Sequence, residues 1–261
     1  MIRFCTLFSS SSGNSVFLSN GQTSILIDAG VSAAKITNAL ETIGVSPRDI
    51  DAIFVTHEHS DHTSGINVLV RKFGISLYAN SATLSKMETV LKGVEPSLIH
   101  PITTGESVKV GSASVRSFKI PHDAAEPVGY TVTLDGKKYG IATDTGCITK
   151  PMLSALAHCE AVVIESNHDE NMLLSGAYPY ILKKRILSDN GHLSNENCAW
   201  LATQLALWGT KHIVLGHISE NNNTAEKAYL VSENKLLENN FKIGKDVYLT
   251  VAEKNQITEI I

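Results

Sequence analysis

The sequence predicts an α/β protein with a four-layer αββα sandwich, in which two mixed β-sheets pack together and helices cover their outer faces. Short apolar runs typical of strands alternate with helical runs along all 261 residues. A two-residue Asp135-Gly136 turn between two strand-like runs predicts a hairpin, so antiparallel pairs mix with helical crossovers. No repeat, linker or change of composition divides the chain. We therefore expect a single domain over residues 1–261.

The individual elements follow from the same patterns. Strands are predicted at 2–8, 15–19, 23–28, 51–56, 75–79, 113–120, 128–134, 138–142, 161–165, 212–216 and 246–251. Helices are predicted at 32–43, 64–73, 81–92, 150–158, 178–188, 195–208 and 223–239. Ser194 stands directly before an apolar-periodic run and predicts the start of the helix at 195.

Composition predicts a cytoplasmic protein that does not associate with membranes. Hydrophobic residues make up 43% and charged residues 18% of the chain, as in ordinary globular proteins. No apolar stretch reaches the roughly 18 residues that span a bilayer, and the first residues lack the pattern of a signal peptide. The four scattered cysteines predict reduced thiols. The net charge of −4 argues weakly against nonspecific nucleic-acid binding, although bound cations reverse the sign locally.

The densest group of metal-ligand residue types lies at the end of the apolar strand 52–55. This group consists of His57, His59, Asp61 and His62. Imidazole and carboxylate bind zinc, manganese or iron. His57 and His59 alternate on an extended backbone, so their side chains point to the same side, while the next two ligands follow where the chain turns. One short loop therefore supplies ligands to two neighbouring metals.

Further residues of these types each follow an apolar strand. They are Asp28, His122, Asp144 and His217. Taken alone, a histidine at a strand tip is usually a surface residue, and an aspartate before glycine usually belongs to a turn. Their repetition at strand ends favours a common position along one edge of the sheet sandwich.

The combined pattern of these residues resembles the metallo-β-lactamase superfamily over about residues 2–220. The resemblance implies that fold and two divalent metal ions, zinc or manganese, with iron as a further candidate. It implies one metal held by His57, His59 and His122, and another held by Asp61, His62 and His217. Asp144 is then the bridge between the metals, and Asp28 orients the ligands behind them through hydrogen bonds.

Differences within the superfamily narrow the expected chemistry. The bridging position carries Asp144 where many true β-lactamases have cysteine, and His59 replaces the glutamate of the diiron oxygen-reducing branch. The resemblance therefore implies a binuclear hydrolase, whose substrates in this superfamily include phosphodiesters and thioesters.

Residues 191–195 resemble the turn before the last metal histidine in the tRNA 3′-processing nucleases of the superfamily. His192 would then be a phosphate contact or the general acid for the leaving oxygen; the alternative is a histidine that only caps the following helix. Together with residues 9–15 and 165–169, this turn is similar to the bacterial YycJ/WalJ family, which is associated with 5′→3′ exonuclease activity on double-stranded DNA. Ser12, Asn14 and His168 are therefore candidate substrate contacts. The alternative for the serine-rich segment is a plain flexible loop, and the alternative for His168 is a histidine that only starts a helix.

The expected function is therefore phosphodiester cleavage by a metal-bridging hydroxide, with double-stranded DNA as the substrate. Asp61 orients the nucleophile as well as binding metal, and His192 stabilises or protonates the leaving oxygen. A small-molecule phosphodiesterase or thioesterase that uses the same centre is the alternative. A noncatalytic binding module is disfavoured because the ligand set is complete.

Overall fold

Two β-sheets lie face to face at the centre of the protein, as predicted, and helices cover the outer side of each. The computed structural model describes residues 2–254 and 256–261. In this part of the chain each sheet has seven strands. The first sheet contains β1 (Arg3–Phe8), β2 (Ser15–Ser19), β3 (Ser24–Ile27), β4 (Ala52–Phe54), β5 (Ser76–Asn80), β6 (Ile99–Ile102) and β14 (Thr258–Glu259). The second contains β7 (Ser107–Val110), β8 (Ala113–Lys119), β9 (Val128–Leu134), β10 (Lys137–Ala142), β11 (Ala161–Glu165), β12 (His212–Gly216) and β13 (Tyr248–Val251).

Helices separate the strands along the chain. They are α1 (Ala33–Thr42), α2 (Ser60–Thr63), α3 (Ile66–Phe73), α4 (Ser81–Lys86), α5 (Lys150–Leu156), α6 (Glu170–Ser175), α7 (Tyr180–Ile186), α8 (Asn195–Leu207) and α9 (Ala225–Glu238). As predicted, the Ser194 side chain caps α8 by accepting a hydrogen bond from the Asn197 amide. No helix in the described part of the chain is both long and apolar enough to cross a membrane.

Strand direction decides where the functional side chains meet. The first sheet has the order β14-β1-β2-β3-β4-β5-β6, and the second β13-β12-β11-β10-β9-β8-β7. Strands β3 to β6 run parallel in one sheet and β10 to β13 in the other, while antiparallel pairs continue each sheet. The carboxyl ends of parallel strands share one edge, which is where ligands bind in α/β sheets.

Three apolar layers hold the four layers of secondary structure together. Ile36 of α1 and Leu69 of α3 pack in a cluster with residues of the first sheet. Between the sheets, Phe54 of β4 and Tyr130 of β9 are fully buried and make an edge-to-face contact with ring centroids 5.6 Å apart. Helices α5 and α8 contribute to a third cluster on the outside of the second sheet.

Each predicted strand and helix has a counterpart in the structure, but among the described residues three strands and two α-helices were missed. Three of these are β6, β7 and β14, and each lies at the edge of its sheet. β6 and β7 have no fully buried residue, and β6 also contains His100 and Pro101, so neither has the continuous apolar run that predicts a buried strand. The short helices α2 and α6 were also missed, and the helix predicted at 81–92 ends at Lys86.

Local details of the predicted elements are also borne out. Asp135 and Gly136 both have positive φ, 49° and 75°, as a two-residue hairpin turn requires. All four cysteines are free thiols.

One side chain ties the two sheets together beside the metal-ligand loop. The Tyr130 hydroxyl donates a 2.7 Å hydrogen bond to the carbonyl oxygen of Val55, and both groups are buried. Replacement of Tyr130 by Phe leaves that carbonyl without this donor. We expect Tyr130→Phe to lower the free energy of unfolding by about 1–3 kcal/mol, measured by urea denaturation.

Tyr139 provides the matched control. It is equally buried on β10, but its hydroxyl has no hydrogen-bond partner among the described residues. Tyr139→Phe should therefore be neutral or stabilising. Equal losses in the two variants would show that the hydrogen bond to Val55 does not stabilise the pairing of the sheets.

Candidate metal centre

The first candidate metal group consists of His57, His59 and His122, whose ligand atoms lie within 4.8 Å of one another. His57 Nε2 is 3.0 Å from His59 Nδ1. The Nδ1 atom of His57 hydrogen-bonds to the Thr56 hydroxyl, and that of His122 hydrogen-bonds to the Gly191 carbonyl oxygen. The Nε2 atoms of these two rings therefore remain available to a metal.

The second group lies beside the first and consists of Asp61, His62, Asp144 and His217. His62 Nε2 is 3.0 Å from Asp144 Oδ2 and 3.4 Å from Asp61 Oδ2. His217 Nε2 is 3.4 Å from Asp144 Oδ1. Asp61 is the most exposed of the four, with 22% of its side chain accessible, so the group opens to solvent on its side.

Asp144 stands between the two groups. Its Oδ1 is 3.8 Å from His122 Nε2 in the first group, while its Oδ2 faces His62 in the second. Burial opposes ionisation of this carboxyl, but the charges of His217 and His62 outweigh that effect and hold its pKa well below the usual range. An ionised carboxylate in this position is suited to bridge two cations.

The donor set fits divalent metal ions. Asp144 Oδ2 and His217 Nε2 are buried and have no hydrogen-bond partner among the described residues. Buried polar atoms without partners are costly, and metal coordination would satisfy both. Nitrogen and oxygen ligands without cysteine suit zinc, manganese or iron, so the set does not select one metal.

Strand ends bring these ligands together through an unusual backbone conformation. Asp28 directly follows β3, Asp144 lies just beyond β10, and His217 directly follows β12. Their φ angles are 63°, 56° and 55°, in the left-handed region that aspartate and histidine tolerate better than most residues. The change of backbone direction at each strand end directs the side chain toward the sheet edge at which the other ligands lie.

Asp28 lies directly behind His62. Its Oδ2 accepts hydrogen bonds from His62 Nδ1 at 2.7 Å and from the Thr56 hydroxyl at 2.8 Å, and its Oδ1 accepts one from the Thr56 amide. The carboxylate thus keeps the proton of His62 on Nδ1 and leaves Nε2 for the metal side.

Glu165, the last residue of β11, has a role that the sequence did not reveal. It is fully buried, and its Oε1 lies 2.7 Å from Nδ1 of both His192 and His217. Its Oε2 accepts hydrogen bonds from the backbone amides of Thr145 and Leu193. Burial disfavours its charge, but His192 and His217 together lower the pKa of Glu165 to about 2. The one feature of the sequence that could have identified Glu165 as a site residue is its position at the end of an apolar strand.

His192 lies at the opening of the site. Its ring centroid is 5.1 Å from that of His122 and 5.3 Å from that of His217, so it borders both groups. Its side chain is 20% exposed, and Nδ1 faces Glu165. Ser194, not His192, caps α8, which removes the structural alternative considered for this histidine.

The serine-rich loop 9–14 supports the second group from behind. The Asn14 amide nitrogen donates to the Asp61 carbonyl oxygen, and Gly30 packs so closely that a Cβ atom there would lie 1.6 Å from the same oxygen. The amides of Ser10, Ser12 and Asn14 all donate within the protein, which argues against a cradle of free amides for phosphate. The exposed Ser12 hydroxyl contacts Glu220.

His168 is not in the cleft wall. It is 1% exposed, and neither ring nitrogen has a hydrogen-bond partner among the described residues. Burial lowers the pKa of His168 to about 4, so the ring is neutral at physiological pH. A side chain this buried does not touch a substrate without movement of its loop.

The two stacked sheets, with two neighbouring groups of histidine and aspartate ligands at their edge, are those of a metal-dependent hydrolase. Residues 23–218 match the family model described as the beta-lactamase superfamily domain, and the chain belongs to that superfamily.

Two relatives match almost the whole chain. It is 41% identical over 246 residues to the exodeoxyribonuclease WalJ of Streptococcus pneumoniae, covering 94% of this chain and 91% of that protein. It is 38% identical over 245 residues to the exodeoxyribonuclease YycJ of Bacillus anthracis, covering 94% and 92%.

A solved structure supports the fold. The metallo-β-lactamase fold protein YhfI of Bacillus subtilis matches with a TM-score of 0.73 at 13% identity, covering 99% of this chain and 100% of that one.

Substitution of Glu165 tests whether this carboxylate orients the metal ligands. Glu165→Gln removes the charge and one of the acceptor oxygens shared by His192, His217 and two backbone amides. We expect the affinity of the second group for Zn²⁺ or Mn²⁺ to fall about 10- to 100-fold in chelator competition. The metal affinity of the group formed by His57, His59 and His122 should fall less, because Glu165 hydrogen-bonds to none of these three residues.

The control lies at the other end of the same strand. Glu160 directly precedes β11 and pairs with Lys137 at the protein surface. Glu160→Gln should bind both metals normally. Normal metal binding by Glu165→Gln as well would contradict the orienting role.

Proposed function

We propose that this protein is a metal-dependent 5′→3′ exonuclease that acts on double-stranded DNA. The observation that carries the proposal is the position of His192, a partly exposed acid–base group that borders both metal groups. Similarity to two proteins named exodeoxyribonucleases, over 94% of the chain, supports DNA as the substrate. We also propose that residues 1–261 form one domain, since both sheets contribute to one site.

The proposed ligand roles follow the two groups and the position of Asp144 between them. His57, His59 and His122 would hold one ion, Asp61, His62 and His217 would hold the other, and Asp144 would contribute its carboxylate to both. When bound, two divalent ions supply hydroxide at neutral pH and neutralise charge on the phosphate oxygens.

Asp61 and His192 are the proposed groups for orienting the nucleophile and for proton donation, because both side chains reach solvent at the site. Asp61 has the most accessible ligand carboxylate, so it can accept a hydrogen bond from the attacking water and orient it. The Nδ1–H group of His192 donates a hydrogen bond to Glu165. Its Nε2 is then the atom that can donate a proton to the leaving sugar oxygen. Ser12, at the exposed side of loop 9–14, is a proposed contact for the phosphate backbone, while Asn14 holds the Asp61 loop.

A small-molecule phosphodiesterase or a thioesterase with the same centre is the second candidate. A thiolate leaves without a proton far more readily than a sugar alkoxide does. The hydrogen bond between Glu165 and His192 therefore favours an oxygen leaving group over a sulfur one.

Degradation of end-labelled duplex DNA tests the proposal. The protein is incubated with Mn²⁺ or Zn²⁺ and duplexes labelled at either the 5′ or the 3′ end. Early release of the 5′ label as mononucleotides is expected, whereas His59→Ala and Asp144→Ala should lose nearly all activity because each removes a metal ligand. No cleavage by protein shown to hold two metals would exclude DNA, and early release of the 3′ label would reverse the polarity.

His192→Ala tests the general acid. We expect kcat on DNA to fall about 10²- to 10⁴-fold, with metal content unchanged, because the leaving oxygen loses its proton donor. The nitrophenolate of bis(p-nitrophenyl) phosphate leaves without a proton, so its hydrolysis should fall much less. Equal losses on the two substrates would contradict proton donation and indicate a general phosphate contact instead.

A further inference from the structure

The segment of residues 170–190, here called the arm, is the least buried part of the chain beside the metal centre. It contains α6 and α7, and Leu173 and Ile186 are its two buried side chains. The arm begins directly after Asp169, which caps α6, and leads into the turn that carries His192. It is therefore anchored at few points but connected at both ends to the site.

The arm presents apolar side chains to solvent. Ile181 and Tyr180 are 82% and 78% exposed, the highest values among the large hydrophobic side chains of the described chain, and Leu174 follows at 58%. Two neighbouring side chains this exposed are not explained by packing within the protein. Exposed apolar groups of this kind mark interaction surfaces.

Direct contacts connect the arm to the metal centre. Arg185 forms an ion pair with Asp123, which follows the proposed ligand His122. The His192 amide donates to the Ile186 carbonyl oxygen at 3.0 Å. Tyr180 and Ile186 are the two ends of α7, so they lie about 9 Å apart along it. Tyr180 is therefore about two helical turns from the backbone contact that joins α7 to the His192 turn.

Helix α7 is the part of the arm whose charge complements a phosphate backbone, while the arm's two acidic residues, Glu170 and Asp189, lie outside this helix. Helix α7 carries Lys183, Lys184 and Arg185 and no acidic residue, in a chain with a net charge of −4. Lys183 is occupied by the carbonyl oxygens of Leu174 and Gly176, and Arg185 by its ion pair. Lys184 is exposed and forms no ion pair with a described residue.

We propose that the arm binds the end of the DNA substrate, with Tyr180 stacking on a terminal base, Ile181 making an apolar contact beside it, and Lys184, one helical turn beyond Tyr180, contacting a backbone phosphate. The inference rests on the proposed function and adds the residues that grip the nucleic acid. Aromatic stacking beside cations is how proteins hold unpaired bases without reading sequence. A second copy of the chain is a poorer occupant, because a two-fold contact centred on α7 would bring its cations together.

Tyr180→Ala tests the stacking contact. We expect KM for duplex DNA to rise about tenfold or more, with kcat changed less, because one base loses its stacking partner. Tyr180→Phe keeps the ring and should restore the native KM. Hydrolysis of bis(p-nitrophenyl) phosphate, which is too small to reach the arm and the metals together, should be the same in all three proteins.

Leu207→Ala is the matched control for loss of an exposed apolar side chain. Leu207 is 57% exposed at the end of α8, and the chain from there leads to the start of β12, at the edge opposite the site. The Leu207→Ala variant should cleave DNA with the KM and kcat of the native protein. Native KM in Tyr180→Ala, or an equal loss on the small ester, would overturn the inference and leave the nuclease intact.

Two further outcomes separate this inference from the proposed function. If the native protein hydrolyses the small ester but not DNA, both proposals fail. If Tyr180→Ala converts a dimer to a monomer in size-exclusion chromatography while DNA cleavage is unchanged, the arm binds a second copy and the DNA contact is wrong.

Salt dependence tests the phosphate contact. Lys184→Ala should reduce the slope of log KM against log salt by about one, as expected for the loss of one phosphate contact. An unchanged slope would remove Lys184 from the proposed contact.

Discussion

The hydrogen bonds of one buried carboxylate, Glu165, hold the centre together. It accepts from His192 and His217 and from the amides of Thr145 and Leu193, so it joins the ends of β11 and β12 to two turns. A buried charge is tolerated only when its hydrogen-bonding capacity is used in this way. The same contacts fix which nitrogen of each ring carries the proton. One side chain thus sets the orientation of a proposed metal ligand and of the proposed acid together.

The sheets supply the rigidity that the ligand geometry requires. Left-handed backbone at Asp28, Asp144 and His217 costs of order 1 kcal/mol at each residue, and such strain persists only where the surroundings determine the conformation. Each of these residues follows a fully or largely buried strand whose hydrogen bonds fix its end. Three of the six non-glycine residues with positive φ in the described chain converge on the site in this way, and the turned backbone places their side chains on one edge.

Much of this arrangement is predictable from sequence because buried strands have a clear signature. The runs 25–27 and 161–164 are buried on both faces of their sheets and are therefore continuously apolar. Ligand-type residues at such ends indicated the site. The edge strands β6, β7 and β14 have no such run and were missed. Glu165 satisfied the same strand-end rule, but its partners come from distant segments. The burial of His168 depends on packing between such segments, which periodicity does not describe.

Substrate choice must come from the rim of the site, since its floor is closed. His57 and His62 are completely buried, whereas Asp61 and His192 reach solvent, so a substrate approaches from one side only. The proposed ligands lie at strand ends, on the short turns that follow them and on the one-turn helix α2. The arm instead contributes two buried side chains and many exposed ones. Rigid strand ends can keep hydrolytic chemistry constant while a loosely anchored segment varies with the substrate. The difference between a nuclease and a small-molecule esterase on this scaffold is therefore expected in the arm, more than in the metal ligands.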